Sequence, residues 1–367
     1  MKIAYCLGIR PDFITNSILI KMLDEWLKDN FILIHTGQHY SYNMDKIFFE
    51  ELGLRDPNYH LEIGSGTQGY QTGETIRKSE EIFIKEKPDL VLSFSDANPC
   101  LSAIAASKLN IKVAHLEAGM RSYDWRMPEE KNRRMVDSIS DIFFTPTTLS
   151  YNNLIKEGVS ENKIFITSKL IVEVLEKYKK EIDGSNILDE LKLKKKEYFL
   201  ATAHRPENVE DKTYLSSILK ALKTIHEKYL LPVILPTHPR TQAAIKRFKF
   251  KIPDGVRIMD YLGFFDFSKL EKNTLCLITD SGTVQEDGCW FKVPCVTFRI
   301  STERPETEYV GSNLVSGLNN KDIVDCVDMM IKKEKNWKCP YYLGAAKKTV
   351  SVLKMKEDEI KMKKTWW

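Results

Sequence analysis

Residues 3–35 have the sequence IAYCLGIRPDFITNSILIKMLDEWLKDNFILIH, and this stretch decides the fold. Its two short apolar runs, Ile3–Leu7 and Phe31–His35, predict buried β-strands. Residues 14–28 between them have the apolar spacing of an amphipathic helix. A strand, a helix and a second strand at this spacing indicate parallel strands joined by a crossover helix, which is the unit of a doubly wound α/β sheet.

The same alternation continues through the first half of the chain and begins again after the lysine-rich stretch 191–197. Further strands are predicted at Leu90–Phe94, 113–116, Ile142–Thr145, 198–203, Val233–Pro236, 256–258, 275–279 and 295–298. A chain of 367 residues is long enough for two domains, and we place them at residues 1–168 and 169–344. A charged helix is predicted at about 345–360, with Val350, Leu353 and Met355 packing back on the first domain.

Composition and charge exclude several classes of protein. The formal net charge is only +4, so no basic field indicates a nucleic-acid partner. No apolar stretch approaches the roughly 20 residues that a membrane span needs, and the N-terminal residues do not have the pattern of a secretory signal. The 7 cysteines include no C-x-x-C pair and mostly lie in apolar runs, which predicts reduced core residues and a cytoplasmic protein.

Almost every unusual polar cluster in the chain follows a predicted strand. These clusters begin at Gly8, Thr36, Ser95, Glu117, Ala203, Thr237 and Asp280. In open parallel sheets, ligands bind beyond the carboxyl ends of the strands. The clusters from both halves are therefore predicted to converge on one interdomain cleft.

The cluster Asp280-Ser281-Gly282-Thr283 has the features of an anion site. It joins a predicted strand to a predicted helix, whose first backbone N–H groups are free to bind a diphosphate. Glycine permits the tight turn, and the hydroxyl groups of Ser281 and Thr283 add donors. The alternative is an ordinary capped helix start, since Ser and Asp are good N-caps. Arg10 in Gly8-Ile9-Arg10 is a second candidate phosphate ligand, or else a surface residue.

Carboxylate and imidazole side chains form a second candidate constellation. Its acidic members are Asp96, Glu117, Glu129 and Glu130, and its histidines are His204 and His238. Carboxylates that share a cleft raise one another's pKa, which suits the removal of a carbon-bound proton. Charged neighbours on the same loops tune the histidines across neutral pH. The alternative is a set of helix-capping acids and structural histidines.

Two other chemistries find no support in the sequence. No set of His, Asp and Cys residues has the spacing of metal ligands, so no metal site is expected. The G-x-G-x-x-G fingerprint of a nicotinamide site is absent after the first strand, so no redox cofactor is expected either.

Taken in order, the polar clusters resemble those of the non-hydrolysing UDP-N-acetylglucosamine 2-epimerase family, including its capsular-polysaccharide branch. The motifs are GIRPD at 8–12, TGQH at 36–39, SDAN at 95–98, HLEAGMR at 115–121, MPEEKNRR at 127–134, AHRPEN at 203–208, THPR at 237–240, DSGTVQED at 280–287 and TERPE at 302–306. The resemblance covers roughly residues 1–320. It implies two Rossmann-like domains in the glycosyltransferase-B-type arrangement with an interdomain cleft, usually as a homodimer.

The resemblance also implies the reaction. This is the inversion of carbon 2 of a UDP-N-acetylhexosamine by anti elimination of UDP to a 2-acetamidoglycal and re-addition of UDP, without a cofactor. Matched motif by motif, the catalytic residues fall on Asp96, Glu117, Glu129 and His204. The nucleotide contacts fall on Arg10, Arg133, Ser281, Gly282, Asp287 and Arg304, and His238, Thr283 and Glu286 complete the expected substrate-binding set.

Several positions depart from the family pattern. A lysine expected on the first helix is replaced by Thr15, and a GDT motif becomes Ser95-Asp96-Ala97. The TGN motif before the second domain becomes Thr167-Ser168-Lys169, and a ribose-binding glutamate becomes Asp287. Unless another cation compensates for Thr15, we expect slow turnover of UDP-N-acetylglucosamine or a different substrate, and Thr15→Lys should then increase turnover.

Three alternatives to a non-hydrolysing epimerase stay open at this point. They are a hydrolysing 2-epimerase, a glycosyltransferase of the same fold, and an inactive sugar-nucleotide-binding protein. Within the family, some motifs resemble enzymes that act on UDP-N-acetylglucosamine or its diacetamido uronate. Others resemble enzymes that make the L-fucosamine nucleotide.

Overall fold

The structure is a computed structural model that describes residues 1–37 and 49–362, so Gln38 and His39 of the TGQH motif lie outside the described residues. The described chain forms two compact units, which are Met1–Val174 with the segment beginning at Tyr341, and Leu175–Pro340. The first unit runs past the predicted limit at residue 168 because Leu170 belongs to its core. The second unit ends before the predicted limit at 344.

The N-terminal unit contains a sheet of parallel strands in the order β3-β2-β1-β4-β5-β6-β7. Its strands are β1 Ile3–Leu7, β2 Phe31–His35, β3 Tyr59–His60, β4 Leu90–Phe94, β5 Lys112–Leu116, β6 Ile142–Thr145 and β7 Ile164–Ile166. The interior strands are continuous apolar runs because helices cover both faces of the sheet. The strand order reverses between β1 and β4, and such a reversal opens a ligand-binding crevice beyond the carboxyl ends of those strands.

Helices cover both faces of this sheet. They are Arg10–Leu27, Gln68–Glu86, Ser102–Lys108, Pro128–Ile139, Thr148–Lys156 and Leu170–Lys177, with short 3₁₀ turns at Lys28–Asn30, Asn98–Leu101 and Glu161–Lys163. The predicted C-terminal helix forms as two pieces, Ala345–Met355 and Glu357–Lys361. Val350 and Leu353 join the core of the N-terminal unit as predicted, but Met355 is exposed, so its predicted packing is wrong.

The C-terminal unit repeats the architecture with a parallel sheet in the order β10-β9-β8-β11-β12-β13. Its strands are β8 Phe199–Thr202, β9 Val233–Pro236, β10 Val256–Met259, β11 Leu277–Thr279, β12 Cys295–Thr297 and β13 Asn313–Val315. Its helices are Lys179–Gly184, Ile187–Glu190, Pro206–Val209, Lys212–Tyr229, Pro239–Phe248, Phe264–Asn273, Gly282–Phe291, Pro305–Tyr309 and Asn320–Lys332. Here the strand order reverses between β8 and β11, and the two β-sheets confirm the predicted α/β class.

None of the helices among residues 1–37 and 49–362 combines the length and the apolar character that crossing a bilayer requires.

Candidate active site

In the N-terminal unit, the turn after β1 brings backbone N–H groups and a buried carboxylate together. Asp12 accepts hydrogen bonds from the backbone N–H groups of Gly8 and Ile9, at 3.1 and 3.2 Å. Position 8 needs glycine because a Cβ there would come within 1.8 Å of the Thr36 hydroxyl oxygen. Arg10 begins the first helix and is half-buried. Arg10, the predicted phosphate ligand, therefore lies at the strand-order reversal. It is close to Asp12, which was not predicted as a site residue.

The buried position of Asp12 changes its acidity. Burial raises the pKa of Asp12 to about 7, against the two backbone N–H bonds that lower it. The charges of Asp96 and Glu117 contribute to this rise, so the three acids are close enough to interact electrostatically. A carboxyl group with a pKa near neutrality can gain or lose a proton under working conditions.

Asp96 follows β4 and lies against a buried guanidinium group. Arg133 is only 2% exposed and forms ion pairs with Asp96 and, at 2.5 Å, with Glu130. Glu130 also accepts hydrogen bonds from the backbone and the hydroxyl of Ser122. Arg133 was predicted to contact the nucleotide, but in the structure it joins these two carboxylates.

Glu117 follows β5 in a strained backbone conformation. Its φ is +64°, in the left-handed region that non-glycine residues enter at a cost of roughly 1–3 kcal/mol. Its carboxylate forms an ion pair with Lys169, with 2.7 Å between Oε2 and Nζ. Neither the strain nor this partner was predicted from the sequence.

Glu129 lies in the first turn of Pro128–Ile139, one turn before Arg133 and half-buried.

In the C-terminal unit, His204 follows β8 and Asp280 follows β11, on either side of the strand-order reversal. The imidazole Nδ1 lies 3.1 Å from Asp280 Oδ1, and the ring is 37% exposed. Asp280 also accepts hydrogen bonds from the backbone N–H groups of His204 and Arg205 and from the Asn208 side chain. Although burial alone raises the pKa of Asp280, the His204 ring and these N–H donors lower it to about 2.

The predicted anion site forms at the start of the helix Gly282–Phe291. Ser281 is its N-cap residue, and the hydroxyl groups of Ser281 and Thr283 lie 3.1 Å apart. A Cβ on Gly282 would come within 2.1 Å of Arg304 Nη1, so this glycine lets the guanidinium approach the helix end. A helix N-terminus beside an arginine is a favourable place for a phosphate group.

Arg304 is held in place by two buried carboxylates, those of Glu286 and Glu303. Glu303 also pairs with Arg205 at 3.4 Å and with Arg299 at 2.7 Å. The guanidinium groups of Arg205, Arg299 and Arg304 thus all contact the carboxylate of Glu303, and a group of arginines favours an anionic ligand. Glu286 was predicted to contact the substrate, and in the structure its carboxylate positions Arg304.

Asp287 has a second acidic residue beside it. Glu271, on the neighbouring helix Phe264–Asn273, is fully buried, and its pKa is raised by burial and by the charge of Asp287. Burial and the negative charge of Asp287 thus both favour the protonated form of Glu271. The predicted ribose ligand, Asp287, therefore has a second acidic side chain beside it.

His238 is the N-cap residue of Pro239–Phe248 and accepts a hydrogen bond from the Arg240 N–H at 3.1 Å. The His238 and His204 rings lie 6.4 Å apart. No group of three or more His, Cys, Asp or Glu side chains suited to a metal ion occurs within residues 1–37 and 49–362.

Each unit thus places polar loops at the reversal of strand order in a Rossmann-like sheet. One unit gathers carboxylates and cations, and the other gathers an anion-binding helix end and a histidine–aspartate pair. These features define a nucleotide-binding α/β enzyme with acid–base chemistry.

The comparisons with known proteins give the family. A family model described as UDP-N-acetylglucosamine 2-epimerase matches residues 24–354. UDP-N-acetylglucosamine 2-epimerase of Methanocaldococcus jannaschii is 44% identical, over 94% of this chain and 96% of the relative. UDP-2,3-diacetamido-2,3-dideoxy-D-glucuronate 2-epimerase of Pseudomonas aeruginosa is 39% identical, over 89% and 91%. The chain belongs to the UDP-N-acetylglucosamine 2-epimerase family.

Solved structures agree with this assignment. The Methanocaldococcus jannaschii enzyme in complex with UDP-GlcNAc and UDP has a TM-score of 0.92 and 43% identity, covering 97% of this chain and 100% of that one. The enzyme from Rickettsia bellii has a TM-score of 0.89 and 34% identity, covering 98% and 97%. The predicted family, fold class and enzyme class are confirmed.

Proposed function

We propose that the protein inverts carbon 2 of a UDP-N-acetylhexosamine, by anti elimination of UDP and its re-addition to the 2-acetamidoglycal. The observation that best supports this function is the set of interacting carboxylates Asp12, Asp96 and Glu117, with buried cations beside them. Environments that separate the pKa values of neighbouring carboxyl groups provide both an acid and a base at one pH.

The proposed reaction needs two proton transfers and one departure of a diphosphate. A carboxylate removes the proton from carbon 2, and the electrons of that C–H bond form the carbon–carbon double bond of the glycal as the anomeric C–O bond breaks. A protonated acid then delivers a proton to the opposite face of carbon 2, and UDP adds back at carbon 1. We assign the proton transfers to Asp96, Glu117 and Glu129.

The departing UDP carries negative charge that must be stabilised. We assign this role to His204, whose ring is fixed by Asp280, and to the helix N-terminus at Ser281 and Gly282 with Arg304. Charge-assisted hydrogen bonds of this kind are worth roughly 1.5–3 kcal/mol each. Arg10, Arg133, His238, Thr283, Glu286 and Asp287 complete the proposed substrate-binding set.

The proposed substrate is UDP-N-acetylglucosamine, which is named in the relative at 44% identity. UDP-2,3-diacetamido-2,3-dideoxy-D-glucuronate is the second candidate, because the relative named for it is 39% identical. We further propose that the protein works in the cytoplasm as a homodimer and supplies precursors for a surface polysaccharide such as a capsule.

Proton NMR of each candidate nucleotide in deuterated water tests the function. The expected result is loss of the carbon-2 proton signal and the appearance of the 2-epimer. The variants Asp96→Asn, Glu117→Gln and Glu129→Gln should each lower the exchange rate by about 10²–10⁴-fold. Glu25→Gln, an exposed residue on the first helix, is the matched control.

The other outcomes identify the alternatives. Free N-acetylmannosamine and UDP as products would indicate a hydrolysing enzyme. A nucleotide sugar that binds but exchanges no proton would indicate either a glycosyltransferase, which needs an acceptor, or an inactive binding protein. Either result would overturn the proposed function.

A further inference from the structure

Lys169 occupies an unusual position for a lysine. It lies just before the helix Leu170–Lys177 and is fully buried, with an exposed fraction of 0%. Its ammonium group is 2.7 Å from the Glu117 carboxylate and 3.4 Å from the Met120 sulfur. Lysine is almost never fully buried unless a negative charge pairs with it, so this contact is a determining feature of the site.

Stability alone does not explain a buried ion pair of this kind. Removing two charges from water costs several kcal/mol per ion, and apolar replacements are often as stable or more stable. Lys169 and Glu117 also lie on different elements, after β7 and β5, two parallel strands that both pair with β6. A functional reason for the pair is therefore the better account.

Thr15 provides a second and independent observation. The family resemblance places a lysine at position 15 and an asparagine at position 169, whereas this chain has Thr15 and Lys169. Thr15 is buried and lies one helical turn after Asp12, on the same face of the first helix. The Asp12 carboxylate interacts electrostatically with Glu117, so position 15 stands beside the same acidic cluster.

We propose that Lys169 supplies, from a different element of the N-terminal unit, the cation that the family pattern carries at position 15. In this role it is a positioning residue that keeps Glu117 ionised and fixes its carboxylate for proton transfer. The proposal rests on the proposed epimerase function and names the residue that compensates for Thr15.

The local backbone supports this placement. Ser168 has a φ of +78°, in the left-handed region, at the position where the family pattern has glycine. Its hydroxyl oxygen accepts a hydrogen bond of 2.8 Å from the backbone N–H of Tyr342, in the returning C-terminal segment. This turn directs the chain so that Lys169 enters the interior instead of reaching solvent.

Other charged and titratable groups face the same cluster and set the background for any pH effect. They are Tyr5 on β1, Asp12 on the first helix, and Asp96 after β4 with its partner Arg133. Burial raises the pKa of the Tyr5 hydroxyl, and the charges of Asp12 and Glu117 raise it further. Tyr5 is therefore neutral at the pH of the assay, and Lys169 contributes a positive charge in direct contact with Glu117.

Moving the positively charged side chain from position 169 to position 15 by mutation tests the proposal. The variants are Lys169→Asn, Thr15→Lys and the double variant, with the exposed Lys163→Asn as the matched control. Each is assayed for UDP affinity and for carbon-2 proton exchange on UDP-N-acetylglucosamine between pH 5 and pH 9.

Lys169→Asn should lower kcat at least ten-fold while UDP affinity changes little. The acid limb of its pH–rate profile, where the exchange rate falls at low pH, should move to higher pH by about one to three pH units. Loss of a neighbouring opposite charge raises the pKa of a carboxyl group by this amount. Thr15→Lys alone should not increase turnover, because Lys169 already supplies the charge. The double variant should regain at least ten-fold over Lys169→Asn and return the acid limb toward its original position.

Two results would overturn the assignment. One is an unchanged kcat and pH profile in Lys169→Asn. The other is a double variant that folds and binds UDP but stays as slow as the single variant. If Lys169→Asn does not fold, Lys169→Met keeps the aliphatic volume, and the double variant by itself still decides. A wild-type protein that exchanges no carbon-2 proton would instead refute the proposed function, so the two failures are distinguishable.

Discussion

Replacing Asp280 by asparagine removes one charge from the interior of the C-terminal unit. It also removes the carboxylate that holds the His204 ring. The carboxylate of Asp280 is fully buried and accepts hydrogen bonds from two backbone N–H groups and from Asn208. Asparagine offers one acceptor oxygen and turns an NH₂ group toward donors that already point inward. At least one backbone N–H then loses its partner, and the His204 ring loses its anionic neighbour.

The size of the charge effect follows from the acidity of Asp280. Its pKa is about 2 in the folded protein, against an ordinary value of 3.8. Lowering a pKa by one corresponds to about 1.36 kcal/mol, so the charge contributes about 2 kcal/mol to the free energy of unfolding at pH 7. A lowered pKa stabilises the folded state above the ordinary value, and this stabilisation is lost as the pH falls from about 4 to about 2. About half of it should remain at pH 3.

Urea unfolding of wild type and Asp280→Asn at pH 7, 5, 4 and 3 measures this effect. The difference in free energy of unfolding should narrow below pH 4. Asp254→Asn, which removes one exposed charge from the same unit, is the matched control and should show almost no difference. Turnover of Asp280→Asn should also fall, by no more than the roughly 10²–10⁴-fold that a general acid or base contributes.

Two results would refute this reasoning. A stability difference that stays the same between pH 7 and pH 3 would mean that the charge of Asp280 is not the stabilising feature. Unchanged turnover would mean that the orientation of His204 by Asp280 does not matter for the reaction.

Three further predictions concern single contacts in the two units. Arg304→Ala should weaken UDP binding by about ten-fold or more, measured by calorimetry, because it removes a cation from the helix end; equal affinity would place the phosphate elsewhere. Ser95→Gly should raise the melting temperature of the N-terminal unit slightly, because Ser95 has a φ of +55° and relief of about 1–2 kcal/mol of strain exceeds the entropic cost of glycine; a lower melting temperature would contradict this. Arg133→Met should lower the free energy of unfolding by at most about 3–5 kcal/mol, because it removes the guanidinium that pairs with both Asp96 and the buried Glu130, while Arg134 still pairs with Glu130; a change below about 1 kcal/mol in chemical denaturation would show that the two ion pairs of Arg133 contribute little to stability.

Much of the fold was predictable because the deciding signals are local. All ten predicted strands form, since a strand covered on both faces must be a continuous apolar run. The three strands that were missed, at Tyr59–His60, Ile164–Ile166 and Asn313–Val315, each lie at the edge of a sheet. They have only two or three residues and are partly exposed, so any apolar run in them is too short to indicate a strand.

The family's motifs also indicated which positions of the sequence are candidate site residues. Each polar cluster follows a strand, and short turns between a strand and a helix need particular residues such as Gly8 and Gly282. The left-handed backbone at Ser95 and Ser168 explains why the family pattern has glycine there. The sequence showed these two departures but gave no reason for them.

The sequence by itself determined the class of fold, the family and which loops carry polar groups, because those depend on neighbours along the chain. Only the tertiary structure decided which charges meet. Lys169 and Glu117 are brought to 2.7 Å by two strands that pair with the same neighbour, and Asp280 meets His204 across adjacent strands. Electrostatic energy depends on distance and burial, not on separation in sequence, so the partner of a buried charge becomes visible only when the sheet has formed.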